Sequence, residues 1–328
     1  MSQNLPRGAA VLGVGAYRPP RVVDNEEICR SIDSSDEWIR TRSGITSRRW
    51  AEDDETLDVM ATGAATGALA DAGVDPAALG MVLVATCTDP QPVRPLAVRV
   101  AAALGTEVPA LTINATCAGF CYGLGVARDL VRAGTAEHVL VVGAERLTDI
   151  TDHQDRATAF IFADGSGAFV VGRAEEEGVG PVVWGSDGAR GEVLGLAPDW
   201  AAFRRDPALG RPAIEMQGRR VFKWAAEQMP KVAEAACKAA GVTLADVDVF
   251  VPHQANQRIT EAMVKALQLP ASVVVADDIA TAGNTSSASI PLALHRLRTE
   301  GRARPGDRAL LIGFGGGLVY AAQVITVP

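Results

Sequence analysis

The sequence predicts an α/β protein built from two duplicated halves. Three observations carry that expectation. Strand-sized apolar runs alternate with apolar residues at helical spacing, and several segments recur at a nearly constant offset. The 328 residues, 48% hydrophobic and 21% charged, can also bury a substantial core. A formal net charge of -8 argues against a nucleic-acid partner. The longest apolar runs, such as Val139 to Gly143 and Ala309 to Gly313, are too short to span a bilayer, so no membrane partner is expected. The N-terminus lacks the charged-then-apolar layout of a signal peptide. Cysteines 29, 87, 117, 121 and 237 show no metal-ligand spacing. Their odd number and scatter point to free thiols in a reducing, cytoplasmic compartment, with no metal.

In chain order, Ala110 to Ile113 reads as a short strand. From Cys117 onward, Phe120, Leu124, Ala127 and Val131 recur at helical spacing, with Gly134 placed as a stop. A strand at Val139 to Val142 follows. Residues 173–181, with three consecutive Glu, read as the connector between halves 1–175 and 176–328. Residues 197–212, with Pro, Asp, Gly and Arg, read as a surface excursion. An Ala-rich helix is expected from Phe222 to Ala239, a strand from Val247 to Val251, and a helix from Gln257 to Leu267.

The duplication rests on ordered matches. Ala72-Gly73-Val74, then Ala77, Leu79 and the strand at 81–84, match Ala240-Gly241-Val242, then Ala245, Val247 and the strand at 249–251. The offset is 168, from Ala72 against Ala240. Carried forward, it places Thr116-Cys117 on Asn284-Thr285, and sets strand 138–143 against 308–313 with a small indel.

Three peptides concentrate the chemistry: residues 114–120 (Asn-Ala-Thr-Cys-Ala-Gly-Phe), 251–256 (Val-Pro-His-Gln-Ala-Asn) and 283–289 (Gly-Asn-Thr-Ser-Ser-Ala-Ser). Cys117 sits where a strand hands over to a helix, where free N–H groups and the helix dipole favour a thiolate. Cys121, one turn later, reads as core. His253 follows a strand and a proline, and is open to either a structural or a catalytic reading. His138 and His295 read as a strand edge and a helix surface, and His153 lies in a polar segment. Gly-Asn-Thr-Ser around Asn284 is also ordinary turn chemistry. Gly315-Gly316-Gly317 is either a flexible bend or a backbone left bare so that an N–H can face an oxyanion. Together these supply a nucleophile and two hydrogen-bond donors, which suits chemistry on thioesters.

The joint pattern resembles the β-ketoacyl-acyl-carrier-protein synthase III family of the thiolase superfamily, from about Gly13 to the last strand. It includes Asp36-Glu37-Trp38-Ile39, Thr41-Arg42-Ser43-Gly44-Ile45, the three peptides above, residues 162–168 (Phe-Ala-Asp-Gly-Ser-Gly-Ala) and residues 313–317 (Gly-Phe-Gly-Gly-Gly). The resemblance implies a thiolase-like layered αβαβα fold and a homodimer. It implies that an acyl-coenzyme A acylates Cys117, with the amides of Cys117 and Gly316 as the oxyanion hole. A malonyl group on acyl carrier protein then enters. His253 and Asn284 donate to its thioester oxygen as carbon dioxide leaves, and the enolate attacks the acyl-cysteine. Coenzyme A thioesters are substrates in this scheme, and no cofactor is implied.

The resemblance further implies that Trp38 and Arg156 flank the adenine of coenzyme A, while Arg42 and Asn256 touch its phosphate and pantetheine. Gly218 and Phe222 line the channel, and Phe314 is grouped with these substrate contacts. Lys223, Arg258 and Lys265 match a basic patch for the acidic carrier protein. The loop 88–95 departs from the pattern, because Arg94 stands where a small or aromatic residue helps to wall the acyl pocket. The acyl group is therefore open, and a solvent-facing Arg94 is favoured because arginine is rarely buried. A competing reading is a family member that moves an acyl group to a hydroxyl or amine, with less need of Asn284. A catalytically dead partner subunit would be expected to lose the cysteine. A plain thiolase would carry a second catalytic cysteine, whereas Cys237 is the only one in the C-terminal half.

Overall fold

Apolar strands buried on both faces organise the molecule. A computed structural model describes residues 8–91 and 93–328. Residues 1–7 and Pro92, which fall within the expected first half and the loop at 88–95, lie outside the described residues. The strands are β1 (Gly8–Tyr17), β2 (Val22–Asp24), β3 (Ser47–Arg49), β4 (Met81–Ala85), β5 (Ala110–Ile113), β6 (His138–Arg146), β7 (Asp164–Ala174), β8 (Val183–Ser186), β9 (Leu194–Ala197), β10 (Ala213–Met216), β11 (Val249–Pro252), β12 (Val274–Val275), β13 (Arg308–Gly315) and β14 (Val319–Thr326). The α-helices are α1 (Asn25–Ile28), α2 (Asp36–Ser43), α3 (Leu57–Ala72), α4 (Leu96–Ala103), α5 (Gly119–Arg132), α6 (Trp200–Arg205), α7 (Gly218–Ala239), α8 (Gln257–Leu267), α9 (Ile279–Ala282) and α10 (Ser289–Thr299).

Two five-stranded sheets run β1-β7-β6-β4-β5 and β8-β14-β13-β11-β12. Their pairing is the same: β4 lies parallel to β5 and β6, as β11 does to β12 and β13. The remaining neighbours, β6–β7–β1 and β13–β14–β8, are antiparallel. Central strands such as β4, with Val82, Leu83 and Val84 wholly buried, are apolar throughout because helices cover both faces. Helices α5 and α10 fill the space between the sheets, where Phe120, Leu124, Ile290 and Leu294 belong to one core cluster. Helices α3 and α4 cover the outer face of the first sheet, and α7 and α8 that of the second. The result is the expected αβαβα stack.

The internal match needs one correction. The offset of 168 holds at the first parallel strand of each half, where Met81 pairs Val139 and Val249 pairs Ala309. It has become 170 by the turn that follows the second strand. Short 3₁₀ turns lead into α5 and α10 at Thr116–Ala118 and Ser286–Ala288, each opening on a non-glycine residue with positive φ, 43° at Thr116 and 47° at Ser286. Thr116 therefore corresponds to Ser286, Cys117 to Ser287 and Asn114 to Asn284. The two-residue indel precedes these turns, so Cys117 does not stand opposite Thr285.

Other local differences have plain causes. Val247 caps the 3₁₀ turn Leu244–Asp246, so the strand begins at Val249. The Ala-rich helix reaches back to Gly218, whereas α8 spans Gln257–Leu267 as read from sequence, its first turn capped by the Asn256 side chain. The surface excursion is a hairpin of β9 and β10 that carries α6 at its tip, with Asp199 capping that helix. After β7, the Gly178 N–H bonds Ala9 O and the Gly180 N–H bonds Val324 O, so the connector ties the two sheets together. Among the described residues, no helix is long and apolar enough to cross a membrane.

Candidate active site

The cysteine turn is shaped by close backbone approach. A positive φ at Thr116 costs roughly 1–2 kcal/mol for a side-chain-bearing residue. Its Oγ1 donates to Gly316 O at 2.8 Å, which pins the glycine-rich end of β13 over the turn. A Cβ on Gly315 would stand 2.8 Å from both Cβ and Sγ of Cys117, and one on Gly313 would stand 2.9 Å from Ala118 Cα. These glycines are needed for contact rather than for flexibility. Burial pushes the Cys117 thiol up to about 11, even though the Ser286 hydroxyl and the amides of Cys117 and Gly316 all favour the thiolate. The expectation of a favoured thiolate is thus corrected: loss of solvent outweighs the helix start, and the resting group is a thiol. Cys121 lies fully buried, as read, with its thiol pushed up to about 12 by burial.

His253 follows β11 and is only 2% exposed. Its Nδ1 lies 2.7 Å from Ser289 Oγ, which accepts the Gln254 N–H at 3.4 Å. With that acceptance made, the serine hydroxyl can donate to Nδ1, which leaves the imidazole proton on Nε2. Burial pulls the imidazole down to about 3, so this neutral donor persists at ordinary pH. The ring stands edge-on to Phe314, with centroids 5.4 Å apart. Asn284 is held from both sides by backbone, its N–H to Ile161 O and its O to Ala163 N, each at 2.9 Å. Its Oδ1 accepts the Ser286 N–H at 2.8 Å, so the group left for the cavity is the NH₂ donor.

Cys117, His253 and Asn284 line one cavity of 460 Å³, together with Trp38, Arg42, Gly218, Phe222, Asn256, Phe314 and Arg258. Three expected contacts look different in place. The Arg156 guanidinium lies on the Trp38 ring, 4.6 Å from its centroid, so this state has no slot for a purine between them. Arg156 is exposed and would have to swing aside. The Asn256 amide is already engaged, with Nδ2 on Arg42 O at 3.1 Å and Oδ1 on Arg258 N at 2.9 Å. Of the three basic residues, only Arg258 reaches the cavity, its guanidinium 5.7 Å from the Phe222 ring centroid. Lys223 and Lys265 are exposed on α7 and α8, and Lys223 sits 3.9 Å from Glu227. Arg94 is exposed, on the solvent side as favoured.

A larger cavity of 860 Å³ lies between residues 149–155 and the β9–β10 hairpin. Asp149, Asp152, Asp155, Glu192 and Glu215 line it against one cation, Arg211, an acidic balance that disfavours phosphates. Among the described residues, no group of three His, Cys, Asp or Glu is placed to hold a metal. Reading the sequence assigned no role to Thr116, Ser286, Ser289 or Glu145, which support the cavity residues. Three of them lie inside the quoted peptides. Glu145 carries one signal, a carboxylate directly after the apolar run from Val139 to Ala144.

Comparison with known proteins agrees with this geometry. Residues 111–188 match the family described as 3-oxoacyl-(acyl-carrier-protein) synthase III, and residues 237–327 match its C-terminal counterpart. The chain is 53% identical over 321 residues to the β-ketoacyl-(acyl-carrier-protein) synthase III of Streptomyces glaucescens, covering 98% of this chain and 96% of that protein. It is 51% identical over 323 residues to the mycobacterial β-ketoacyl-(acyl-carrier-protein) synthase III of Mycobacterium tuberculosis, with the same coverage. The crystal structure of a priming β-ketosynthase from a polyketide biosynthetic pathway superimposes with a TM-score of 0.97 at 47% identity, covering 100% of this chain and 98% of that one. The synthase III of Aquifex aeolicus gives a TM-score of 0.90 at 38% identity, covering 97% and 100%. The chain belongs to the β-ketoacyl-acyl-carrier-protein synthase III family.

Proposed function

We propose that this condensing enzyme takes an acyl group from acyl-coenzyme A onto Cys117 and joins it to malonyl-acyl carrier protein, priming fatty-acid or polyketide synthesis. The observation that carries the reading is the convergence of the Cys117 thiol, a neutral His253 and the Asn284 NH₂ on one cavity. In the first half-reaction the thiol attacks the thioester carbonyl, coenzyme A leaves as its thiol, and the Cys117 proton balances it. The amides of Cys117 and Gly316 are suited to the oxyanion because both favour negative charge at the cysteine. In the second half-reaction the malonyl C–C bond breaks and carbon dioxide departs. Negative charge then collects on the thioester oxygen, where His253 Nε2–H and the Asn284 NH₂ would stabilise it. The enolate carbon attacks the acyl-cysteine, the β-ketoacyl thioester leaves, and the Cys117 thiolate takes up one proton from solvent. With that proton, which replaces the one lost to coenzyme A, both steps balance without an added cofactor.

Carrier-protein docking at Arg258, Lys223 and Lys265 is supported by Arg258 at the cavity mouth and by two exposed lysines on the adjoining helices. A homodimer is supported by β5, an edge strand whose Leu111 is 48% exposed. Free thiols throughout the chain fit a cytoplasmic setting. The test is intact-protein mass after incubation with acyl-coenzyme A esters, followed by carbon dioxide release from malonyl-acyl carrier protein. An acyl adduct with no carbon dioxide release would favour transfer to a hydroxyl or amine instead.

A further inference from the structure

Glu145 is a fully buried carboxylate just before the end of β6, after the wholly buried Val139 to Val142 and Ala144. None of its hydrogen-bond partners is a cation. Its Oε1 accepts from Ser287 Oγ at 2.8 Å. Its Oε2 accepts from Thr88 Oγ1 at 2.9 Å, Cys87 N at 3.1 Å and Thr86 Oγ1 at 3.2 Å. The Cys87 thiol adds a contact at 3.5 Å. Burying an ionisable carboxyl is costly unless it is held by hydrogen bonds, so this many donors on one group constitute a built site.

The partners come from both halves of the molecule. Residues 86–88 follow β4 in the first half, whereas Ser287 belongs to the asparagine turn of the second. Ser287 Oγ also lies 3.0 Å from Ala85 O, so both acceptors within reach of its one hydroxyl proton belong to the first half. Ser286, one residue earlier, has φ 47°, a conformation that persists only where surrounding structure holds it. That residue donates its N–H to the Asn284 Oδ1, and its hydroxyl is close enough to Cys117 to favour the thiolate. A shift of Ser287 would therefore move both a contact of the nucleophile and the amide of Asn284.

We propose that Glu145 is a positioning residue of the active site: through Ser287 it holds the Asn284–Ser286 turn of one half in register with Cys117 of the other. The inference rests on the condensing function proposed above. Glu145→Ala should slow condensation by about tenfold or more, mainly in kcat, while Cys117 acylation stays within about threefold. Glu145→Gln can still accept from Thr86, Thr88 and the Cys87 N–H while donating to Ser287, which then donates to Ala85 O. It should restore condensation to within about threefold of wild type. Ser287→Ala cuts the link to the turn, with its Ala85 O contact, but leaves the bonds of Glu145 to residues 86–88, and covers the case in which Glu145→Ala does not fold. It should show the same selective loss, by about threefold or more.

Wild-type condensation in a folded Glu145→Ala or Ser287→Ala variant would overturn the proposal. So would equal loss of both half-reactions in step with a lowered Tm, or a folded Glu145→Gln as slow as Glu145→Ala. If the wild type neither acylates nor releases carbon dioxide, the proposed function has failed. The positioning role is then read from the rate at which iodoacetamide alkylates Cys117 at fixed pH. A change of about threefold in Glu145→Ala supports it, because the Ser286 contact has moved, and an unchanged rate overturns it.

Discussion

The turns at Thr116–Ala118 and Ser286–Ala288 are two copies of one device with different outputs. In each, an asparagine two residues before the positive-φ residue accepts that residue's N–H. Asn114 Oδ1 does so for Thr116 at 3.2 Å, and Asn284 Oδ1 for Ser286 at 2.8 Å. Each then launches one of the two helices between the sheets. The first turn presents its second residue, Cys117, to the cavity, while Asn114 is exposed. The second hides its second residue, Ser287, at 1% exposure against Glu145, and presents the asparagine instead. Duplication supplied the backbone, and the division of labour lies in which position meets the cavity and what covers the other.

The hardest test of that division exchanges the chemistry between the turns. Cys117→Ala should abolish the acyl adduct seen by intact-protein mass, and Cys121→Ala should keep it. Adding Ser287→Cys to the Cys117→Ala protein should not restore the adduct, because residue 287 is buried away from the cavity. An adduct at position 287 of that double variant would mean that the turns are interchangeable.

The two asparagines offer a milder contrast. Removing one oxyanion donor typically costs about 10²–10³ in rate, so Asn284→Ala should lose about that much carbon dioxide release while still being acylated. Asn114→Ala loses only a turn hydrogen bond, and should cost about 1 kcal/mol of stability with little effect on either half-reaction. Comparable kinetic losses at both positions would show that the turn matters and the cavity-facing amide does not.

The same contrast shows what the sequence could and could not reveal. Strands such as β4 and helix α8 were legible because their apolar pattern and caps are local. The Asn114 and Asn284 peptides were legible as motifs. Their pairing was read two residues out, because an indel among Ala, Gly and Val leaves no local mark. The helix start before Cys117 was visible. The burial that overrides it was not, since it depends on Gly315 and Ser286, far along the chain. Ser289 and Glu145 act by contacts across the two halves, and no sequence period encodes those. The Arg156–Trp38 stack likewise needs two remote segments to meet.

His253 should then differ from an ordinary exposed histidine by the absence of an effect. Its imidazole is held at about 3, below the usual 6.5, because burial disfavours the charged form. The rate of carbon dioxide release should therefore show no histidine inflection between about pH 5 and 8. The linkage has the matching sign. The unfolded state binds the extra proton, so this group's contribution to stability is full above about pH 6.5 and falls as the pH drops toward about 3. A clear inflection near the ordinary value would mean that water reaches the ring.

The smallest effect is expected at Arg94, and the contrast with Arg99 explains why. Arg99 is 6% exposed and is held by Asp58 at 2.6 Å and Asp89 at 3.0 Å. It also donates to the Arg94 carbonyl, so the loop is fastened by its backbone while the Arg94 side chain stays exposed. Burying a guanidinium is costly without an anionic partner, and of these two residues it is Arg99 that has two. Arg94→Ala should therefore leave acylation by acetyl-, longer alkyl- and dicarboxylic acyl-coenzyme A esters within about twofold of wild type, as for most surface substitutions. Arg99→Ala, by leaving the partly buried Asp89 without its cation, should cost about 3 kcal/mol of stability. A preference for the dicarboxylic ester that disappears in Arg94→Ala would place that guanidinium in an acyl pocket. Its exposure within a single chain would then point to the pocket of a partner copy, and would turn the smallest expected effect into evidence for a shared site.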